Sequence, residues 1–117
     1  MNNIKIAKNF NLKEFQCPCC KRVMIDSKLL EGLVMLRIML NKPIYITSGY
    51  RCTKENERVK GYKISYHMHG MAADIKVKDI SIKELADLAQ DIGFKGIGEY
   101  KKHLHLDIRQ DLYRWKD

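Results

Sequence analysis

The chain has 117 residues, is 45% hydrophobic and 31% charged, and carries a net charge of +8, which suits one soluble domain around one core. No stretch is long enough to span a bilayer. The positive balance favours an anionic partner: nucleic acid, an anionic membrane or an anionic wall polymer.

The basic residues are spread along the chain and read as a solvated face. There is no arginine-rich arm, no helix-turn-helix signature and no zinc-finger spacing, so the expectation is no nucleic-acid partner. The opening residues, "MNNIKIAKNFNLKEFQ", hold no continuous apolar run and no small-residue cleavage site. They do not read as a secretory signal. A substrate outside the cytoplasm would then be reached by release at lysis or in a particle.

In chain order, "FNLKEF", 10–15, is amphipathic and predicts a short helix, and "CPCCKRV" predicts a tight turn. Asp26 or Ser27 caps a helix over 27–40, where Leu29, Leu33, Leu36 and Leu40 recur at helical spacing. Asn41 and Pro43 end it, and Met35 and Met39 read as core filler. "PIYITS", 43–48, is a short strand. Thr53 is a candidate cap for a short helix over 54–59, and residues 61–70 read as loop. "AADIKV", 72–77, is a buried strand. "SIKE", 81–84, fits a capping box in which Ser81 and Glu84 satisfy each other's backbone donors. Leu85, Leu88, Ala89 and Ile92 form the buried face of the helix that follows, and Gly93 ends it. Strands over 95–100 and 103–108 are joined by a Lys-Lys turn, and "RQDLYRWKD" is a basic, aromatic tail. The order predicts an α+β fold with a mostly antiparallel sheet and helices on one face. Residues 1–117 form a single domain that includes the cysteine-bearing segment 10–25.

Four cysteines, Cys17, Cys19, Cys20 and Cys52, allow three full pairings. Two of these contain strained short loops; the least strained joins Cys17 to Cys20 and Cys19 to Cys52. Reduced thiols, that disulfide pair, and a structural zinc on Cys17, Cys20, Cys52 and one further ligand all remain open. None of these places the cysteines in the active centre, since "CPCC" lies far in sequence from every histidine.

All four histidines fall in two clusters: His67 and His69 with Asp74, and His103 and His105 with Asp107. In extended chain, alternate residues share a face, so His103, His105 and Asp107 line one face of what reads as the last strand. A carboxylate at the mouth of a buried strand is costly unless paired or bound to a cation, and Asp74 is placed that way. A histidine, a carboxylate seven residues on and a histidine from a distant strand supply three tetrahedral ligands. The fourth position stays open, as in catalytic zinc sites. Gly70 reads as a turn with positive φ or a close backbone approach.

"ITSGYRC", Asn56, "VKG" at 59–61, "SYHMHGMAADI", "GIGEY" and "HLHLDIR" occur in that order. Together they resemble the zinc D-alanyl-D-alanine carboxypeptidase family, including its phage endolysin members that cut L-alanyl-D-glutamate bonds. The signature Ser-x-His-x-x-Gly-x-Ala-x-Asp is met at Ser65, His67, Gly70, Ala72 and Asp74, and the later His-x-Asp at His105 and Asp107. The resemblance runs from about Phe10 to Arg109. It implies the hedgehog/DD-peptidase fold, one zinc ion on His67, Asp74 and His105, and a peptidoglycan peptide as substrate. His69 falls at a variable position. Arg51 matches the arginine that faces the substrate carbonyl or carboxylate, which a guanidinium binds bidentately. Ser65 adds a substrate hydrogen bond, and Asp107 orients a histidine ligand.

The resemblance also implies the reaction: zinc-activated water attacks an amide whose carbonyl the metal polarises, and Arg51 stabilises the oxyanion. Many members carry a carboxylate three residues before the last histidine ligand, where this chain has Lys102. His103 is the base that the His-x-His pattern suggests instead, with Glu99 a weaker candidate. The expectation is a monomeric zinc metallopeptidase acting on peptidoglycan stem peptides. The alternative is a zinc-containing module of the same fold that binds wall peptides without cutting them.

Overall fold

The structure, a computed structural model, describes residues 1–117. The predicted leucine stripe builds α1 (Ser27–Leu40), in which Leu29, Leu33 and Leu36 are buried. Asp26 is its cap: its carboxylate accepts the Lys28 N–H at 2.8 Å, and Asn41 closes the helix in the left-handed conformation. Met35 and Met39 do not fill the core. They are 50% and 53% exposed, on a face shared with exposed Ile38. Each helical residue turns the chain by about 100°, so a methionine next to Leu36 or Leu40 points well away from the stripe.

The second long helix, α3 (Ile82–Ile92), buries Leu85, Ala86 and Ala89, while Leu88 and Ile92 are half-buried. Its cap is half of the predicted box. Ser81 Oγ accepts the Glu84 N–H at 3.1 Å, but the Glu84 carboxylate takes the Ser81 hydroxyl, at 3.0 Å, and not the Ser81 N–H. Between these helices, α2 (Thr53–Arg58) is capped by Cys52 and not by Thr53: the Cys52 sulfur accepts the Glu55 N–H at 3.5 Å.

Seven strands form two sheets. β1 (Lys5–Ala7) and β2 (Phe10–Asn11) make a small hairpin that precedes a 3-10 helix over Leu12–Phe15. Both strands are too short to show an alternating pattern. The main sheet contains β3 (Tyr45–Ser48), β4 (Ala72–Lys76), β5 (Gly96–Glu99), β6 (Leu104–Asp107) and β7 (Tyr113–Lys116), in the order β3-β4-β6-β5-β7. Three pairings are antiparallel and β5–β7 is parallel. The tail is therefore an edge strand. The histidine-bearing strand is β6, at the centre of the sheet and not last in the chain.

Strand alternation gives the sheet two faces. Ala73, Ile75, Ile97, Leu104 and Leu106 join the buried residues of α1 and α3 in one apolar cluster, which also takes Phe10 and Phe15 from the N-terminal segment. On the other face, cross-strand neighbours run Ser48, Asp74, His105, Gly98, Trp115 through all five strands. Gly98 is required there, because a Cβ would run into the Trp115 indole. Gly70, with φ of +68°, ends a 3-10 turn over Tyr66–His69, and a Cβ on it would lie 2.6 Å from the Met24 carbonyl oxygen. Both readings of this glycine hold.

No helix is long and apolar enough to cross a membrane. Gly98→Ala should cost about 1–3 kcal/mol through overpacking. Urea unfolding followed by the emission of Trp115, the single tryptophan, measures the cost; an unchanged midpoint would show that the indole does not seat on Gly98.

Candidate metal centre

Antiparallel register sets Asp74 of β4 directly opposite His105 of β6. His67 comes from the 3-10 turn, where Ser65 Oγ accepts its backbone N–H at 3.2 Å and its carbonyl accepts the Arg51 N–H at 3.1 Å. The three side chains meet on one oxygen. His67 Nε2 lies 3.2 Å and His105 Nδ1 3.0 Å from Asp74 Oδ1. His67 is 1% and Asp74 7% exposed.

The outer partners decide where the imidazole hydrogens are. His67 Nδ1 is 2.8 Å from the Gly49 carbonyl, which can only accept, so Nδ1 donates and Nε2 presents its lone pair. His105 Nε2 donates to Asp107 Oδ2 at 2.7 Å, so Nδ1 presents its lone pair. Two bare nitrogens and a carboxylate oxygen then face one another within 4.8 Å. Lone pairs held together in a buried site require a cation between them, or protons. Two imidazoles and one carboxylate, each oriented from behind, fit a zinc ion.

The same groups shift one another's protonation. Burial pushes the His105 imidazole down, but Asp107 and Asp74 outweigh it and raise its pKa. Burial alone would raise the Asp74 carboxyl; its bonds with His105 and His67 hold it well below the usual carboxylate range. Asp107 is fully buried beneath His105. Burial raises its carboxyl, and the Arg109 guanidinium (2.6 and 2.8 Å) together with His105 brings it down to about 2. Gly96 leaves room for this carboxylate, into which a Cβ would project.

Around the triad lies a cleft of about 710 Å³ lined by Arg51, Ser65, His103, Tyr100, Trp115 and others. Arg51 is braced on three sides: Nη2 to Asp74 Oδ2 (3.2 Å), Nε to Ser48 Oγ (3.1 Å) and Nη1 to Asn56 Oδ1 (3.3 Å). His103 Nε2 is 3.8 Å from Asp74 Oδ2, and its ring stacks on Tyr100 at 4.6 Å between centroids. Burial lowers the His103 pKa below its ordinary value, although Asp74 acts against it; the shift favours the neutral ring. Ser65 lines the cleft, with its hydroxyl oxygen already accepting from His67.

His69 is exposed and outside the cleft, and Lys102 sits in the exposed turn between β5 and β6. Glu99 is not at the site. It is paired with Leu104 in register, on the helix-bearing face, and accepts from Arg114 Nε at 3.2 Å. Strand parity puts it on the face opposite His105. The wall formed by Tyr100, Tyr113 and Trp115 was not anticipated, nor was Arg109, which lies 4.7 Å from the Tyr66 ring centre and 5.3 Å from that of Trp115. The alternation of Tyr113 and Trp115 in "YRWK" was the available signal; it is a strand pattern of only four residues.

Residues 8–107 match the family model described as Peptidase M15. The chain belongs to the peptidase M15 family. Among curated proteins it is similar to peptidoglycan L,D-endopeptidase MepK of Escherichia coli (strain K12) and of Shigella flexneri. Each is 29% identical over 92 residues, covering 71% of this chain and 50% of the relative. The chain thus spans about half the length of the curated relatives it matches. Within this peptidase M15 chain, the matched region contains His67, Asp74 and His105 together with Arg51 and His103.

A depressed carboxylate stabilises the fold above its unfolded pKa and loses that contribution as pH falls through its folded pKa. For Asp107, the window runs from about pH 4 down to about 2. Asp107→Asn should cost about 3–5 kcal/mol at pH 7, since it leaves Arg109 unpaired, and the cost should shrink as pH falls toward 2. Denaturant unfolding across that range checks it; a cost independent of pH would rule out an ionised Asp107.

Proposed function

We propose that this chain is a zinc-dependent peptidase that hydrolyses amide bonds in peptidoglycan stem peptides, on a hedgehog/DD-peptidase type of fold. The observation that carries the reading is the meeting of two lone-pair nitrogens, from His67 and His105, on the Asp74 carboxylate. This happens in the floor of a cleft that also presents a braced arginine and a neutral imidazole. Membership of the peptidase M15 family supports the reaction class, and the MepK relatives, named as peptidoglycan L,D-endopeptidases, support the substrate and an internal cut. The net charge of +8 suits an anionic wall.

His67, Asp74 and His105 would hold the ion. When bound there, zinc supplies Lewis-acid polarisation of a carbonyl and a water that ionises near neutral pH. The chain's own residues do the rest. Arg51 donates to the carbonyl oxygen as negative charge builds on it, from a position that Ser48, Asn56 and Asp74 already impose. His103, neutral and exposed by 31% on its side chain, accepts a proton from the attacking water at Nε2 and returns it to the leaving amine. Tyr100 holds that ring by stacking, and Trp115 Nε1 in turn fixes Tyr100 through a 3.1 Å bond to its hydroxyl. Asp107 keeps the hydrogen of His105 on Nε2, so that Nδ1 faces inward.

Zinc-reconstituted protein incubated with peptidoglycan should release peptides identifiable by mass spectrometry, whose new termini name the bond cut. Chelator and Asp74→Ala should each abolish release. If zinc-loaded protein binds peptidoglycan and releases nothing, the non-catalytic binding module is the correct reading.

His103→Ala should lower kcat by about 10²–10⁴-fold with KM little changed. A base must be unprotonated, so kcat falls as pH drops through its pKa; burial moves that limb to lower pH than an ordinary imidazole would give. Unaltered kcat in His103→Ala would assign the proton to another group.

A further inference from the structure

The cysteines lie outside the triad, and the proposed reaction does not use them. Cys17, fully buried, and Cys52 approach to 3.6 Å between sulfur atoms, although they are 35 residues apart in sequence. Together with Cys20 their sulfur atoms all lie within 4.8 Å of one another. In a tetrahedral site with Zn–S near 2.3 Å, the edge between two sulfurs is about 3.8 Å, so the Cys17–Cys52 spacing is already that of two ligands on one ion. A disulfide needs about 2.05 Å.

The loop is shaped for the purpose. Residues 17–22 form a tight hairpin in which the Cys17 N–H donates to the Arg22 carbonyl (2.8 Å) and the Lys21 N–H to the Cys17 carbonyl (2.9 Å). Lys21 takes the left-handed conformation at φ of +63°, which folds Cys20 back beside Cys17. Backbone N–H groups point at the sulfurs: Cys52 N–H to Cys17 Sγ and Glu55 N–H to Cys52 Sγ, each at 3.5 Å. Such donors stabilise a thiolate. Cys19, exposed in the same turn, is the one cysteine left over and could supply a fourth donor.

We propose that Cys17, Cys20 and Cys52 bind a second, structural zinc ion, with the thiol protons released to solvent as it binds. Cys52 adjoins Arg51 and caps α2, which carries Asn56, a partner of Arg51. The ion would staple the N-terminal segment to the loop that aims the arginine into the cleft.

Cobalt substitution of the full chain separates the two sites, because the His67–Asp74–His105 set contains no sulfur. Wild type should take up two metal equivalents and show a thiolate-to-cobalt charge-transfer band. Cys20→Ser and Cys52→Ser should each lose that band and one equivalent, whereas Asp74→Ala should lose one equivalent and keep the band. If a cysteine variant fails to fold, the wild-type spectrum still decides. Wild type with no sulfur band, an intact mass two hydrogens short per disulfide, or four freely reactive thiols in metal-replete protein would each overturn the site. Loss of metal by Asp74→Ala tests the triad alone.

Discussion

One buried carboxylate sets the terms for this structure. Asp74 stands in the second strand of the five-stranded sheet, faced by His67 Nε2, His105 Nδ1 and an Arg51 nitrogen, with His103 slightly farther off. A lone carboxylate in that position would be strongly unfavourable, so every positive or metal-binding group around it is part of what permits the fold. The requirement falls on strand register. A shift of one residue between β4 and β6 would turn Asp74 toward the apolar cluster and bring Ala73 or Ile75 to the histidines.

The two faces of the sheet divide the work on that basis. The helical face is filled by leucine, isoleucine and alanine, and holds the register through packing. The other face has little apolar packing of its own. It is organised by a row of neighbours in which small residues alternate with large ones: Gly98 sits between His105 and Trp115, and Gly96 lies beside Asp107. The parallel edge strand β7 brings Trp115 and Tyr113 to complete the wall, and through Tyr100 it steadies the His103 ring. Parity also excludes Glu99. It is only six residues before His105, yet its side chain belongs to the other face, where it meets Arg114.

The cysteine cluster adjoins this arrangement at the peptide bond between Arg51 and Cys52, and Cys52 also caps the helix that carries Asn56. Along the chain, "CPCC" is remote from every histidine. In the fold, Cys17 and Cys20 reach the residue next to the arginine. A sulfur-lined site there and a histidine–carboxylate site at the sheet centre would share one loop, one ion holding its backbone and the other facing the substrate.

Much of this was legible beforehand. Local and periodic signals identified the helix over 27–40, the strands around 72–77 and 103–108, and the motif residues His67, Asp74 and His105, because side-chain spacing and capping chemistry act over a few residues. The family was legible too, since its motifs are contiguous. What the sequence did not carry was relative placement: that the tail is an edge strand, that Met35 and Met39 point to solvent, that Glu99 is on the wrong face and that Arg109 supports Asp107. These depend on which strand pairs with which and in what register. Pairing between distant segments is decided by burial of the whole apolar face at once, which no single stretch encodes. The chemistry of the residues was set by the chain; their meeting on one oxygen of Asp74 was decided by the sheet.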